Sequence, residues 1–173
     1  MSGHEMAHWL SWWRIGANWE LAATASFGCM LAGVLAALAI IDWNKMILPD
    51  RLNLFMAVGG LGQSLSLGVP DPIDAALGSC ISGASLALLA GLFRRIRGID
   101  GLGLGDIKLV TAAGIWIGWQ GIPAMLFVAS ASALAFAALL AARSRKLDRN
   151  VPLPFGPFLA LGALLAWLMM VTS

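Results

Sequence analysis

Only two cysteines occur in the 173 residues. Both Cys29 and Cys80 fall inside apolar runs, so neither a disulfide framework nor a CxxC metal site is on offer, and both read as small core residues. Charge is scarce as well: 12% of residues are Asp, Glu, Lys or Arg, against 60% hydrophobic. With a mean hydropathy of +0.84, a soluble domain could not cover its apolar surface with polar groups, which excludes a water-soluble fold and leaves the bilayer. A cleavable signal is missing too, because His4, Glu5, His8, Trp9, Trp12, Trp13 and Arg14 stand where a signal peptide needs its apolar core. No internal repeat, low-complexity tract or long linker divides the chain, so residues 1–173 are read as one membrane-embedded domain. The formal charge of +2 carries little meaning by itself, and nucleic acid is not an expected partner.

What is present is a series of apolar stretches. A hydrocarbon layer of ~30 Å takes ~20 helical residues. Residues 21–41 and 122–142 supply uncharged runs of that length, and 75–93 nearly does. Residues 52–68, 107–119 and 155–171 are shorter or broken by glycine. The expected fold is therefore all-α, a polytopic membrane bundle of about six transmembrane helices, preceded by an interfacial segment at 1–18.

The loops sort by sign. Ten of the eleven basic residues follow the first, third and fifth spans: Lys45 and Arg51; Arg94, Arg95, Arg97 and Lys108; Arg143, Arg145, Lys146 and Arg149. The opposite loops, VPDPID and WQGIP, have none, and only Arg14 dissents. The positive-inside rule makes the basic face cytoplasmic, with both termini outside. Trp9, Trp12, Trp13, Trp19, Trp116 and Trp119 all fall near the outer boundary, as interfacial rings should.

Two acids break the apolar pattern on the basic side. An aspartate costs up to ~2.5–3.5 kcal/mol at the centre of a membrane helix, so its presence near one needs a reason. Asp42 ends the first span in IIDWNKMILPDRL, and Asp106 opens the fourth in GLGLGDIKL. The topology brings these two, 64 positions apart, to one boundary. Gly101, Gly103 and Gly105 free the backbone before Asp106 and let another chain lie close against it. The thirteen residues from Ile107 to Trp119 reach only ~20 Å as a helix, so the glycine loop is expected to dip inward, where irregular backbone is either buried in protein or lines a wet cavity. Pro49 stops helical continuation after Asp42 and turns the chain toward the second span. Plainer readings exist: Asp106 as a helix N-cap, Asp42 as a solvated acid beside Lys45. A dinucleotide loop is excluded, because GLGLGD is not GxGxxG and no βαβ unit surrounds it. Paired carboxylates, by contrast, can share a proton and activate water.

Taken together, D-x6-P-D-x-L at Asp42, Pro49, Asp50 and Leu52, G-x-G-x-G-D-x-K-L from Gly101 to Leu109, and P-x-P-F-G-P from Pro152 to Pro157 resemble the type IV prepilin peptidases. These are GxGD-type aspartyl proteases of the bacterial inner membrane. The resemblance runs from about Asp42 to the C-terminus. It implies removal of the short, basic leader of a prepilin or pseudopilin at the cytoplasmic face, for pilus or secretion-system assembly. Asp42 and Asp106 match the catalytic pair, holding a water between one ionised and one protonated carboxyl, with no metal or other cofactor. Gly101, Gly103, Gly105, Lys108, Pro49 and Asp50 are the expected substrate-facing and loop-shaping residues, and Asp50 and Asp100 are candidates for touching the leader. Larger relatives carry an N-terminal domain with two CxxC pairs and also methylate the new amino terminus. The present sequence resembles the compact, peptidase-only form. Its other partner is membrane lipid; the sequence is silent on oligomeric state.

Two rival readings stand beside this one. HEMAH, residues 4–8, satisfies HExxH, in which two histidines hold zinc. No further histidine exists, Glu20 is the single nearby acid for a third ligand, and HEMAHWLSWWRIGANW reads better as an interfacial helix. A small ion-coupled transporter is the other, since intramembrane acids and broken helices also mark ion pathways, and Gln63 adds a polar group. Its hallmark, paired broken helices in two related halves, is not visible.

Overall fold

The computed structural model describes residues 3–98, 103–143 and 154–172, and for 3–18 the helical backbone alone. The chain is all-α, with no strand among the described residues. Among the described residues five helices follow in order: α1 (Gly3–Lys45), α2 (Asp50–Leu67), α3 (Pro72–Arg97), α4 (Leu104–Arg143) and α5 (Gly156–Thr172). Three of the described stretches are long and apolar enough to cross a membrane, Trp19–Lys45, Pro72–Arg97 and Leu104–Arg143, and Gly156–Thr172 is a shorter apolar helix. Helix α1 continues without a break from Gly3 into the first apolar run, rather than setting residues 1–18 apart. The side chains of HEMAH lie outside the described residues.

Local chemistry sets the boundaries. Asp71 caps α3 by accepting from the Ile73 N–H at 2.9 Å, Pro72 occupies the first turn, and Gly98 closes it in the left-handed conformation. Gly68 closes α2 in the same way. Within α4 the chain turns back at Gly118, whose φ of 65° and ψ of 178° lie in a region open essentially to glycine alone. The reversal sits there, and the WQGIP stretch expected as a loop is helical after it.

The first half of α4 is the centre of the bundle. Leu109, Val110, Ala112, Ala113, Trp116 and Ile117 are all buried, with α2, α3 and α5 packed around this helix. Small residues let the backbones close: a Cβ on Gly114 would fall 2.5 Å from the carbonyl oxygen of Gly78, so α3 and α4 cross in backbone contact, the usual device where lipid removes the hydrophobic advantage of packing. Trp116 packs on Gly60 and donates Nε1–H to the Met56 carbonyl at 2.8 Å. It is fully buried, which corrects its assignment to an interfacial belt; Trp19 and Trp119 are exposed. Cys29 and Cys80 are exposed rather than in the core.

Charge divides the bundle end from end. Lys45 closes α1, Arg51 opens α2, Arg94, Arg95 and Arg97 close α3, Lys108 follows the start of α4, and Arg143 closes it. Contacts of Phe136 with Trp43 and Phe158 bring the end of α4 back to this side. Glu20, Asp71 and Asp74 occupy the other end.

Candidate active site

Asp42 lies in the last turn of α1, and its carbonyl accepts the Met46 N–H at 2.8 Å. Met46 then takes a φ of 52°, a left-handed conformation costly for a side chain with a Cβ, which stops the helix. Ile47 and Leu48 run on to Pro49, the residue before α2, whose carbonyl accepts the N–H groups of Leu52 and Asn53. On the other side Gly103 precedes α4, and its carbonyl accepts the N–H groups of Asp106 and Ile107 at 3.1 and 3.3 Å. Asp106 is therefore the third residue inside the helix, not its N-cap.

These two segments face one another. Asp42, Met46, Ile47, Leu48, Asp50, Gly103, Leu104, Gly105, Asp106 and Lys108 enclose a cavity of about 290 Å³. Asp42 is buried, with 6% of its surface exposed, Asp106 is half-buried, and both line this one cavity. Gly105 makes the approach possible, since a Cβ there would fall 2.9 Å from that of Leu48. Two carboxyl groups in one half-enclosed site can hold a single proton between them and polarise a water, which is acid–base chemistry. On the rim, Lys108 Nζ pairs with Asp50 Oδ1 at 2.6 Å, both side chains largely exposed.

Of the residues singled out from sequence, Asp42, Asp50, Gly103, Gly105, Asp106 and Lys108 meet at this cavity. Pro49 stands between two of its lining residues as the lead-in to α2. Gly101 and Asp100 lie outside the described residues, as do Pro152 and Leu153 of the third motif. Sequence reasoning missed the Asp50–Lys108 pair and underrated Gly156. The Gly156 N–H donates to Asp42 Oδ2 at 2.9 Å in a buried contact; the signal available was the third motif itself.

A larger cavity, about 530 Å³, opens at the other end among Asp71, Asp74, Gln120 and Met169. Its acids already have partners: Asp74 accepts from Trp119 Nε1 and Gln120 Nε2, and Asp71 caps α3. Gln63, the polar residue that kept a transport pathway in view, is a structural bracket. It donates to the Val69 carbonyl and accepts from Trp167 Nε1. Among the described residues no group of three or more His, Cys, Asp or Glu side chains gathers in a metal-binding arrangement.

Known proteins match in the same region. Residues 29–139 fit the type IV leader peptidase family. A prepilin leader peptidase/N-methyltransferase of Aeromonas hydrophila is 38% identical over 139 residues, 80% of this chain and 48% of that protein. The protein of the same description from Burkholderia pseudomallei (strain 1026b) is 39% identical over 142 residues, 82% and 45%. That from Pectobacterium carotovorum subsp. carotovorum is 36% identical over 166 residues, 95% and 59%. The chain thus spans about half the length of the curated relatives it matches. No solved structure matches. With a family match over residues 29–139, and with the acids of both upstream motifs facing one cavity, the chain belongs to the type IV leader peptidase family.

Proposed function

We propose that this protein is an aspartic endopeptidase that removes the basic leader of a type IV prepilin or pseudopilin. One observation carries the reading: acids 64 positions apart, on the end of α1 and the start of α4, line a single cavity. A water between Asp42 and Asp106 is activated by the ionised carboxylate, while the protonated carboxyl donates to the scissile carbonyl oxygen and stabilises the charge that develops there. Addition gives a tetrahedral diol, and return of the proton to the leaving nitrogen breaks the C–N bond. Gly103, exposed on the cavity wall, leaves room for an extended peptide backbone beside this water.

The six-span layout supports the sidedness. Counting α4 as two spans on either side of Gly118, the ends rich in Lys and Arg fall together with the two acids, and the positive-inside rule sets that face in the cytoplasm of a bacterial inner membrane. The chain is one membrane-embedded unit over residues 1–173, in contact with lipid, and meets its substrate where a pilin's apolar helix emerges from the bilayer. The test is coexpression of a candidate prepilin with Asp42→Asn, Asp106→Asn and His4→Ala variants, following leader removal on gels. Loss with either Asn change and survival of His4→Ala is expected. Cleavage that withstands both Asn changes but stops with chelator would overturn the reading in favour of zinc. A protein that cuts no pilin yet moves ions in vesicles would overturn it in favour of transport.

A further inference from the structure

We infer that Gly156, at the first turn of α5, is a positioning residue that locks Asp42 so that only one of its oxygens faces Asp106. The inference rests on the proposed acid pair and adds a third chain segment to it. Three observations carry it. The Gly156 N–H donates to Asp42 Oδ2 at 2.9 Å, in a buried contact spanning 114 positions. No side chain fits there, because a Cβ on residue 156 would lie 2.6 Å from Oδ2 and 3.1 Å from the Cβ of Asp42. The peptide is also fixed in direction. Phe155 offers its carbonyl to the N–H groups of Phe158 and Leu159, both at 3.1 Å, and Pro157 has no N–H to compete.

An aromatic series holds the segment laterally. Trp43, next to Asp42 in sequence, meets Phe136 edge-on at a centroid separation of 5.6 Å, and Phe136 meets Phe158 at 5.6 Å. Helices α1, α4 and α5 are thereby clamped around one carboxyl group. With Oδ2 committed to a charge-assisted hydrogen bond, rotation about the terminal torsion of Asp42 is stopped, and Oδ1 is the oxygen left to share a proton or water with Asp106. A carboxyl free to rotate would exchange its two oxygens and lose the alignment the reaction needs.

The experiment removes the donor without adding bulk. Cell-free synthesis into nanodiscs, with glycolic acid in place of Gly156, replaces the 155–156 amide by an ester that lacks the N–H. Gly156→Ala is made beside it, with Asp42→Asn and Asp106→Asn as references, and cleavage of a synthetic prepilin leader peptide is followed against pH. The ester protein is expected to lose tenfold or more in kcat, to keep its KM, and to show the acidic limb of its pH profile moved to higher pH. Gly156→Ala is expected to lose at least a hundredfold. A purely structural contact would lower the yield of folded protein and leave the profile of the surviving fraction unmoved. Wild-type kcat and profile in the ester protein overturn the inference while sparing the acid pair. Undiminished cleavage by both Asn variants overturns the acid pair itself, and the inference with it.

Discussion

Leu48 fills the space where Gly105 would carry a side chain: a Cβ on residue 105 falls 2.9 Å from the Cβ and 3.1 Å from the Cδ1 of Leu48. The connector from α1 to α2 thus rests directly on the first turn of α4, the turn that holds Asp106. Gly105→Ala should push the two segments apart. A misplacement of about 1 Å costs on the order of a hundredfold in rate, so kcat for leader cleavage should fall by that order while the protein still purifies. A variant that cleaves at the wild-type rate would show that the close approach is idle.

The Asp50–Lys108 pair is exposed on both sides, so its stability contribution is at most ~1 kcal/mol. Its effect should appear in binding instead. Lys108→Ala uncovers a negative charge on the cavity rim and should lower KM for a basic leader several-fold; Asp50→Asn should raise it. Both effects should fade in 0.5 M salt, where the screening length is only ~4 Å. Steady-state kinetics at two ionic strengths tests this, with thermal unfolding in detergent as the control for folding.

Activity should depend on pH in a bell shape. The proposed mechanism needs one proton on the pair of Asp42 and Asp106, so cleavage should decline when both are protonated and again when both are ionised. Measuring kcat/KM across pH on a leader peptide without titratable side chains near the cut checks it. A flat profile contradicts a shared proton.

Asn53 offers a stability test. It is 5% exposed, and both polar atoms of its side chain are buried without a hydrogen-bond partner among the described residues. An unpaired buried amide costs about 1–3 kcal/mol. Asn53→Leu should therefore raise the unfolding temperature in detergent, and Asn53→Asp should lower it. A drop with Leu would mean that the amide contributes more than it costs.

Gly118 should tolerate nothing larger. Its φ of 65° and ψ of 178° already exclude side chains, and a Cβ would meet Gln120 Oε1 at 2.9 Å. Gly118→Ala should cost several kcal/mol through strain and lost packing, read as loss of monodisperse protein on gel filtration. Normal elution and unfolding would contradict the turn.

Apolar run length and the placement of charge made the all-helical membrane bundle legible in advance, and the same topology anticipated that Asp42 and Asp106 would reach one boundary. What the sequence concealed follows from the solvent. Lipid and protein interior are equally apolar, so an apolar run does not say which of its faces meets the other helices. Hence Cys29 and Cys80 read as core yet are exposed, and Trp116 reads as interfacial yet is buried. The run at 107–119 is short because α4 starts only at Leu104 and breaks at Gly118, and it is buried among the other helices rather than facing lipid. Gly156 was marked by the third motif, but its partner stands 114 positions away, and the motif does not name the residue it meets.

Helices α1 and α4 share no backbone neighbourhood and meet only through long side chains such as Trp43 and Phe136, whereas α2 and α5 touch both at close range. One acid rides with α5 through Gly156, the other with the block formed by α3 and α4. On the proposed mechanism, reactivity is then a property of assembly rather than of either acid's own helix. Sliding α1 by a single ångström along its neighbours would draw Asp42 away from Asp106 and from Gly156 while the packing of α3, α4 and α5 on one another stayed as it is.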